Sequence, residues 1–384
     1  MTKKRTLFST ISLILVIGLV LFPIFGLSKT RQEYVVDFIY SGQDDLFGAF
    51  SDNYNDPETA QDIETIGSTR SAIIALSLLD AIELDTFTAT DSYCYDQIGY
   101  GIIYNSLENI SHSIETLYVL DVEDEGNDLF EDLDQEEDVK EYFENRSVTV
   151  GDSIGYSSNV GLNATIYSTY LVVKGYYFLD SMDDLLVDNV TEFIMNSFYS
   201  DGGFKSFPTG TSSSLTSTFY AIQTLNYLNA LDSLSANKTV ISEYIDQFYV
   251  NDPLLEAHNG GYSYAPLGEI PFATVRATFE AILTLKLLEV SVPNQETTLN
   301  WILQNQYILD GGFTENALEG SERVSSITTT SQVVRILDVL GNTDLLSEEF
   351  GDYKLRWWIV LIIVIVVLGA GITAYILYQR RIKL

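Results

Sequence analysis

The chain has 384 residues, with 54 acidic and 20 basic side chains, a formal net charge of −34 and a single cysteine. So strong an acid excess repels nucleic acid and anionic lipid surfaces, which sets a nucleic-acid role aside. One cysteine excludes an intrachain disulfide framework, and Cys94 reads as a small, semi-buried residue.

Residues 1–29 hold four bases and no acid, and Leu7–Leu27 is an uncharged apolar run of 21 residues behind Lys3-Lys4-Arg5. A run of that length spans a hydrocarbon core of ~30 Å at ~1.5 Å per residue. It reads as a signal-anchor or a signal peptide. All the acids fall in residues 30–355, which carry only 12 bases and a net charge of −42. Trp357–Tyr378 is a second uncharged run, of 22 residues, followed by a basic tail over residues 379–384 with Arg380, Arg381 and Lys383. It is expected to be a C-terminal transmembrane helix. Bases on the outer flank of both runs place the termini in the cytoplasm. The expected protein is therefore embedded in the plasma membrane, with residues 30–350 as an extracellular domain and the C-terminal tail inside. Five Asn-X-Ser/Thr triplets, at Asn109, Asn145, Asn163, Asn189 and Asn237, are candidate glycosylation sites on that outer segment.

Within residues 30–350, six aromatic residues each close a short Gly-containing turn: Phe50, Tyr100, Tyr156, Phe204, Tyr262 and Phe313, spaced by 50, 56, 48, 58 and 51 residues. A period near fifty means one supersecondary unit repeated. Each unit runs from an amphipathic stretch through the turn and a polar loop to a more apolar stretch. The first stretches are Gln32–Tyr40, Phe87–Ile98, Asp138–Phe143, Asn189–Phe198, Ile241–Phe248 and Thr297–Tyr307. The second are Ser71–Leu84, Ser111–Leu120, Ala164–Leu179, Thr216–Leu228, Thr274–Leu288 and Thr328–Leu340. Helices apolar on every side are buried, so the second set forms an inner layer and the first an outer one. The first and last inner helices are as apolar as the middle four and lack the polar face of a solenoid cap. Six hairpins closing into a ring remove the need for one.

The pattern Trp301-Ile302-Leu303-Gln304-Asn305-Gln306, then Asp310-Gly311-Gly312-Phe313 and a Thr-rich helix start, resembles the repeat of the terpenoid cyclase and protein prenyltransferase α/α-toroid superfamily. Asp201-Gly202-Gly203-Phe204 with Ser217-Thr218-Phe219-Tyr220-Ala221 is a second good copy. The resemblance implies an all-α fold, a double ring of about twelve helices around a central cavity, with ligands entering where the inner helices begin. Together with the two apolar runs, the expected fold is a toroid of six helical hairpins plus two transmembrane helices.

The chemistry that the resemblance implies is mostly missing. Protein prenyltransferases hold zinc with an Asp, a Cys and a His, but the matching starts Ser214–Tyr220, Phe272–Arg276 and Ser325–Gln332 contain none of these, so zinc is not expected. The Asp-X-Asp-Asp motif of class II cyclases is approached only by Asp132-Leu133-Asp134-Gln135, inside the acidic run Asp121–Asp138, which reads as a solvated loop. No thioester signature surrounds Cys94. In the same acidic run Asp121, Glu123, Glu125 and Asp132 approximate a calcium loop, a pattern that chance in so acidic a segment explains better.

The inner-helix starts do carry polar residues: Arg70, His112, Glu115, Tyr167, Tyr220, Arg276, Gln332 and Arg335. These are the candidate cavity-mouth binding residues. Arg70 and Arg276 suit a carboxylate or phosphate, or else ion pairs with Glu115 or Glu280. His112 beside Glu115 offers an acid/base pair or a structural histidine. With 25 Tyr and 20 Phe, an aromatic-lined cavity would suit a lipid or isoprenoid. The expected function is a non-catalytic module binding an extracellular ligand or protein at the cavity mouth. The competing readings are an enzyme acting on an isoprenoid or lipid, and a glycan-processing enzyme working through a carboxylate pair.

Overall fold

The computed structural model describes residues 29–44, 48–52, 65–123, 135–252, 257–265, 272–307, 309–316 and 324–349, with backbone only at 84–88. Two compact units result, Gln32–Ser347 and the flanking pair Met1–Arg31 with Glu348–Leu384. In the flanking unit Thr30 pairs antiparallel with Glu349, and the Arg31 N–H donates to the Glu348 carbonyl at 3.0 Å.

Among the described residues there are twelve α-helices. The outer ones are α1 (Arg31–Ser41), α3 (Leu84–Tyr104), α5 (Glu136–Glu144), α7 (Val187–Asn196), α9 (Lys238–Asp246) and α11 (Gln295–Gln304). The inner ones are α2 (Ile66–Leu78), α4 (Leu107–Glu123), α6 (Ile166–Phe178), α8 (Leu215–Tyr227), α10 (Val275–Leu287) and α12 (Ile327–Val339). Each inner helix packs on the next, and α12 packs on α2, so the inner ring closes. Two short antiparallel ribbons, β1 (Ser147–Val150) with β2 (Ser153–Tyr156) and β3 (Phe204–Lys205) with β4 (Ser213–Ser214), sit in the connections of the third and fourth units.

The starts of the inner helices follow one rule. Thr65, Thr165, Ser214, Thr274 and Ser326 have extended backbone, and each side-chain oxygen accepts the N–H three residues on, which satisfies one of the orphan donors of a helix N-terminus. Four residues after each cap stands a threonine: Thr69, Thr169, Thr218, Thr278 or Thr330. Its Oγ1 accepts the backbone N–H of the turn aromatic, Phe50, Tyr156, Phe204, Tyr262 or Phe313, at 2.9–3.0 Å. These five aromatics are buried. The repeat is thus pinned at its turn by a hydroxyl that belongs to the following helix.

The outer helices bury an i, i+3, i+4 triplet: Val35/Phe38/Ile39, Val139/Tyr142/Phe143, Val190/Phe193/Ile194, Ile241/Tyr244/Ile245 and Thr298/Trp301/Ile302. The turn glycines are needed because these helices press on them. Gly311 has φ +88, and a Cβ there would lie 2.6 Å from the Tyr34 carbonyl oxygen. A Cβ on Gly312 would lie 2.6 Å from the Phe38 ring. The last turn therefore seats on the first outer helix and closes the outer ring as well.

Three expectations need correction. Tyr100 is no turn aromatic: it lies inside α3 and is 52% exposed. The second unit has no glycine turn of this kind, and the threonine position is Ile110, with no N–H to hold. Next, α2 begins at Ile66 rather than Ser71, because the cap on Thr65 starts a helix through Gly67 and two hydroxyl residues. Last, the fold class that the structure supports is the helical toroid without two membrane helices. No helix among the described residues is long and apolar enough to cross a membrane. Five of the inner helices have only 13 residues, some 20 Å at ~1.5 Å per residue. The two runs on which the spans were placed, residues 7–27 and 357–378, lie outside the described residues.

Replacing Thr278 by Val keeps the shape and strands the buried Tyr262 N–H. Urea unfolding is expected to report a loss of about 1–3 kcal/mol.

Candidate functional site

All six inner helices send residues of their first three turns into a central cavity of about 250 Å³. Of the eight polar residues singled out in the sequence, Arg70, His112, Tyr167, Tyr220, Arg276, Gln332 and Arg335 line it. Glu115 does not: it is buried, and it is an anchor of the cavity wall. Its Oε1 accepts from Arg70 Nη2 at 2.8 Å and its Oε2 from Arg70 Nε, while Lys174 Nζ donates to Oε2 at 2.7 Å. One carboxylate on α4 thereby ties α2 to α6.

Electrostatics follow from that geometry. Burial alone disfavours the Glu115 carboxylate, but Arg70 and Lys174 outweigh it and hold the group well below the usual carboxylate range. Burial also opposes the Arg70 charge, and Glu115 more than restores it. Lys174 is fully buried. Burial pulls its ammonium down to about 7, with Glu115 resisting and Arg70 assisting. His112 is held well below its ordinary value by burial, then by Lys174 and Arg70, so at neutral pH the imidazole is uncharged. Glu115 spends its oxygens on Arg70 and Lys174, and no hydrogen bond joins it to His112. The acid/base pair read from their spacing does not form.

At the other side of the mouth Arg276 Nε meets Glu280 Oε1 at 3.3 Å, and Thr216 Oγ1 donates to Glu280 Oε2 at 2.8 Å. Burial nevertheless keeps the Glu280 carboxyl above its ordinary range, against Thr216 and Arg276. Aromatic rings fill the wall between: Tyr167 and Tyr170 lie 4.7 and 4.8 Å from Tyr220, and Phe219 lies 5.7 Å from Phe279. Arg335 Cζ stacks 4.7 Å from the Phe279 ring centroid. A hydroxyl-lined groove of about 410 Å³ with Thr165, Ser214 and Thr216 adjoins the cavity through Tyr167, Tyr220 and Arg276.

The chain matches the model of the prenyltransferase alpha-alpha toroid domain over residues 136–361. It belongs to this family. No curated protein matches its sequence. Among solved structures the chain is similar to a Candida albicans protein geranylgeranyltransferase-I complexed with GGPP, at TM-score 0.56 and 15% identity over 74% of this chain and 86% of that one. It is also similar to the type II terpene cyclase MstE from Scytonema, at TM-score 0.52 and 11% identity over 82% of this chain and 97% of that one. Identities this low establish a shared toroid and nothing finer.

The zinc that a protein prenyltransferase implies finds no donor set among the described residues. Among the described residues no three His, Cys, Asp or Glu side chains come together to hold a metal ion. The starts of α8, α10 and α12 offer hydroxyls, arginine and glutamine instead. Of the calcium-loop residues, Asp121 and Glu123 sit in the last turn of α4, where Glu123 Oε1 accepts from Ser77 at 2.6 Å. Glu125 and Asp132 lie outside the described residues, as does Asp132-Leu133-Asp134 as a cyclase motif. Cys94 is buried, and burial pushes its thiol up. His258 is buried against Phe272, 5.3 Å away edge-on. Among the sequon asparagines Asn145 and Asn163 are exposed, whereas Asn109, Asn189 and Asn237 are half-buried. The Asn109 and Asn189 amides donate to Gln97 Oε1 and the Asp152 carbonyl, at 2.8 and 2.6 Å.

Sequence reasoning missed Lys174, Tyr170, Phe279 and Gln223, and cited Glu280 only as an ion-pair partner. It looked at the first turn of each inner helix, while the cavity reaches two turns deeper. A signal for Lys174 was present: one lysine in the otherwise apolar Leu171-Val172-Val173-Lys174-Gly175-Tyr176 has to be paired if the helix is buried.

Between pH 7 and 9 the unfolded Lys174, with a pKa of ~10.4, binds more proton than the folded one, held at about 7, so stability rises with pH through that window. Lys174→Met is expected to flatten the rise in chemical-denaturation curves collected at pH 7, 8 and 9.

Proposed function

We propose that this member of the prenyltransferase toroid family binds a ligand in its central cavity and does not transform it. The observation that carries the reading is how the cavity charges are committed. Glu115 is locked between Arg70 and Lys174. Lys174, drawn down to about 7, does not line the cavity. Arg335, which does line it, is in no ion pair among the described residues. A guanidinium binds but does not exchange protons near neutral pH. Acid–base work on a bound molecule needs a group whose proton moves at the working pH. The aromatic walls supply apolar contact, and hydrogen bonds from the inner-helix starts supply orientation, the usual composition of a small-molecule site.

An extracellular setting is part of the same proposal. The net charge of −42 on residues 30–355 and the exposed asparagines of two sequons, Asn145 and Asn163, support it.

One observation favours a second reading. Glu280 lines the cavity, and burial keeps its carboxyl above the ordinary range, a state that suits a general acid. An enzyme acting on an isoprenoid or another lipid would use it so.

The two readings separate in one experiment. The purified chain is incubated with a panel of amphiphiles that includes geranylgeraniol and geranylgeranyl diphosphate, then followed by native mass spectrometry and by mass analysis of the recovered compounds. A binding module gives a one-to-one complex, returns the compound at unchanged mass, and keeps its affinity in Glu280→Gln. Conversion of any compound by the wild type that is lost in Glu280→Gln would establish the enzyme instead.

A further inference from the structure

The cavity wall gathers a third of the bases of an otherwise acidic segment. Arg70, Lys174, Arg276 and Arg335 stand in or behind the cavity wall, four of the 12 bases in residues 30–355. Against them the same wall sets Glu115 and Glu280. Three of the four cations meet a carboxylate: Arg70 and Lys174 share Glu115, and Arg276 has Glu280. Arg335 makes no hydrogen bond or ion pair with any described residue. Its Cζ lies over the Phe279 ring, 4.7 Å from the centroid, and the residue lines the cavity.

Gln332 stands three residues earlier on α12 and therefore on the same face; it lines the same cavity. Its Oε1 is closed off from solvent and receives no hydrogen bond, a deficit that costs ~1–3 kcal/mol when left unmet. So one turn of α12 offers a forked cationic donor without an acceptor, and beside it a buried acceptor without a donor.

We propose that the cavity is a site for a small organic monoanion, a carboxylate with a hydroxyl or amine hydrogen close to it, seated on Arg335 and Gln332. This rests on the reading that the cavity binds a ligand. The carboxylate meets the N–H edge of Arg335 in the bidentate geometry that guanidinium favours. The Gln332 amide turns its Oε1 toward the cavity to accept from the neighbouring hydroxyl or amine. The remainder of the molecule lies among Phe219, Tyr220 and Phe279. A volume of about 250 Å³ is below the roughly 300–1,000 Å³ of drug-sized pockets, so the apolar part is one ring or a short branched chain. A single guanidinium without a carboxylate matches one negative charge. A diphosphate brings two or three, and the other cations of the wall are already engaged.

The test titrates the full chain calorimetrically with mandelate, phenylacetate, inorganic pyrophosphate and uncharged 1-phenylethanol, alongside thermal unfolding. Mandelate is expected to bind one-to-one, about threefold to tenfold more tightly than phenylacetate, which lacks the hydroxyl. Arg335→Met is expected to lose mandelate binding at least tenfold. Gln332→Glu, which gives Arg335 an internal counter-ion, is expected to abolish binding and raise the melting temperature; this second variant serves if Arg335→Met fails to fold. Pyrophosphate binding more tightly than mandelate would overturn the assignment, as would mandelate affinity unchanged in both variants. If 1-phenylethanol binds and mandelate does not, the monoanion assignment fails while the cavity reading stands. If no compound of this set or of the amphiphile panel binds, both fail.

Discussion

The hydrogen bond from a turn aromatic's backbone N–H to the threonine of the following inner helix is the constraint on which the cavity depends. It fixes where the helix starts relative to the turn, and the side chains that face the centre are counted from that start. In five of six units the bond is nearly identical, 2.9–3.0 Å. The second unit is the exception that explains the rule. With Ile110 at the threonine position, Gly101 of α3 comes in against it: a Cβ there would lie 2.5 Å from Ile110 Cγ1. Helix-to-helix contact replaces the turn, and α3 extends to 21 residues, the longest helix in the ring. The polar hook and the apolar one do the same job with opposite chemistry.

A ring built this way is sealed by apolar contacts, so a charge placed inside must be satisfied locally. The three-way junction at Glu115 meets that requirement on three neighbouring helices, α2, α4 and α6. Removing the carboxylate would leave two buried cations facing each other, which is why such junctions are strongly destabilised by losing one partner. No comparable junction forms among the described residues of α12, where Arg335 feels the Glu115 charge but has no carboxylate within ion-pair distance. The asymmetry between the two sides of the cavity, one locked by ion pairs and one without them, is the feature on which the proposed binding site rests.

The architecture was largely legible. A repeat near fifty residues, apolar inner stretches and the lack of polar caps were enough for a closed double ring, because each is a direct statement about what must be buried. Helix starts were less legible: Ile66-Gly67-Ser68-Thr69 looks like a loop until one sees that Thr65 caps it and Thr69 accepts the Phe50 N–H. Seven of the eight polar residues at the helix starts do line one cavity, since a ring puts all its N-terminal turns together. Lys174 and Phe279 escaped, being deeper in the wall than the first turn. The pairs Arg70–Glu115 and Arg276–Glu280, read from the sequence as the alternative to a ligand, both form. What escaped was the second partner of Glu115, Lys174 on α6, because His112, three residues away on the same helix, had suggested a partner there.

The sign of the whole chain bears on what reaches the open side. With 54 acids against 20 bases, the exterior repels anions at long range. At physiological ionic strength that repulsion is screened beyond about 8 Å, so it acts on the final approach to the mouth, where Glu280 stands beside Arg276. The penalty grows with ligand charge, while the attraction inside comes from one uncommitted guanidinium. A singly charged molecule crosses the smallest barrier for the same interior gain, and an apolar body lets it draw the rest of its affinity from the aromatic wall rather than from charge. In the proposed site, an acidic shell around a cationic core discriminates by charge number, favouring one negative charge over two or three.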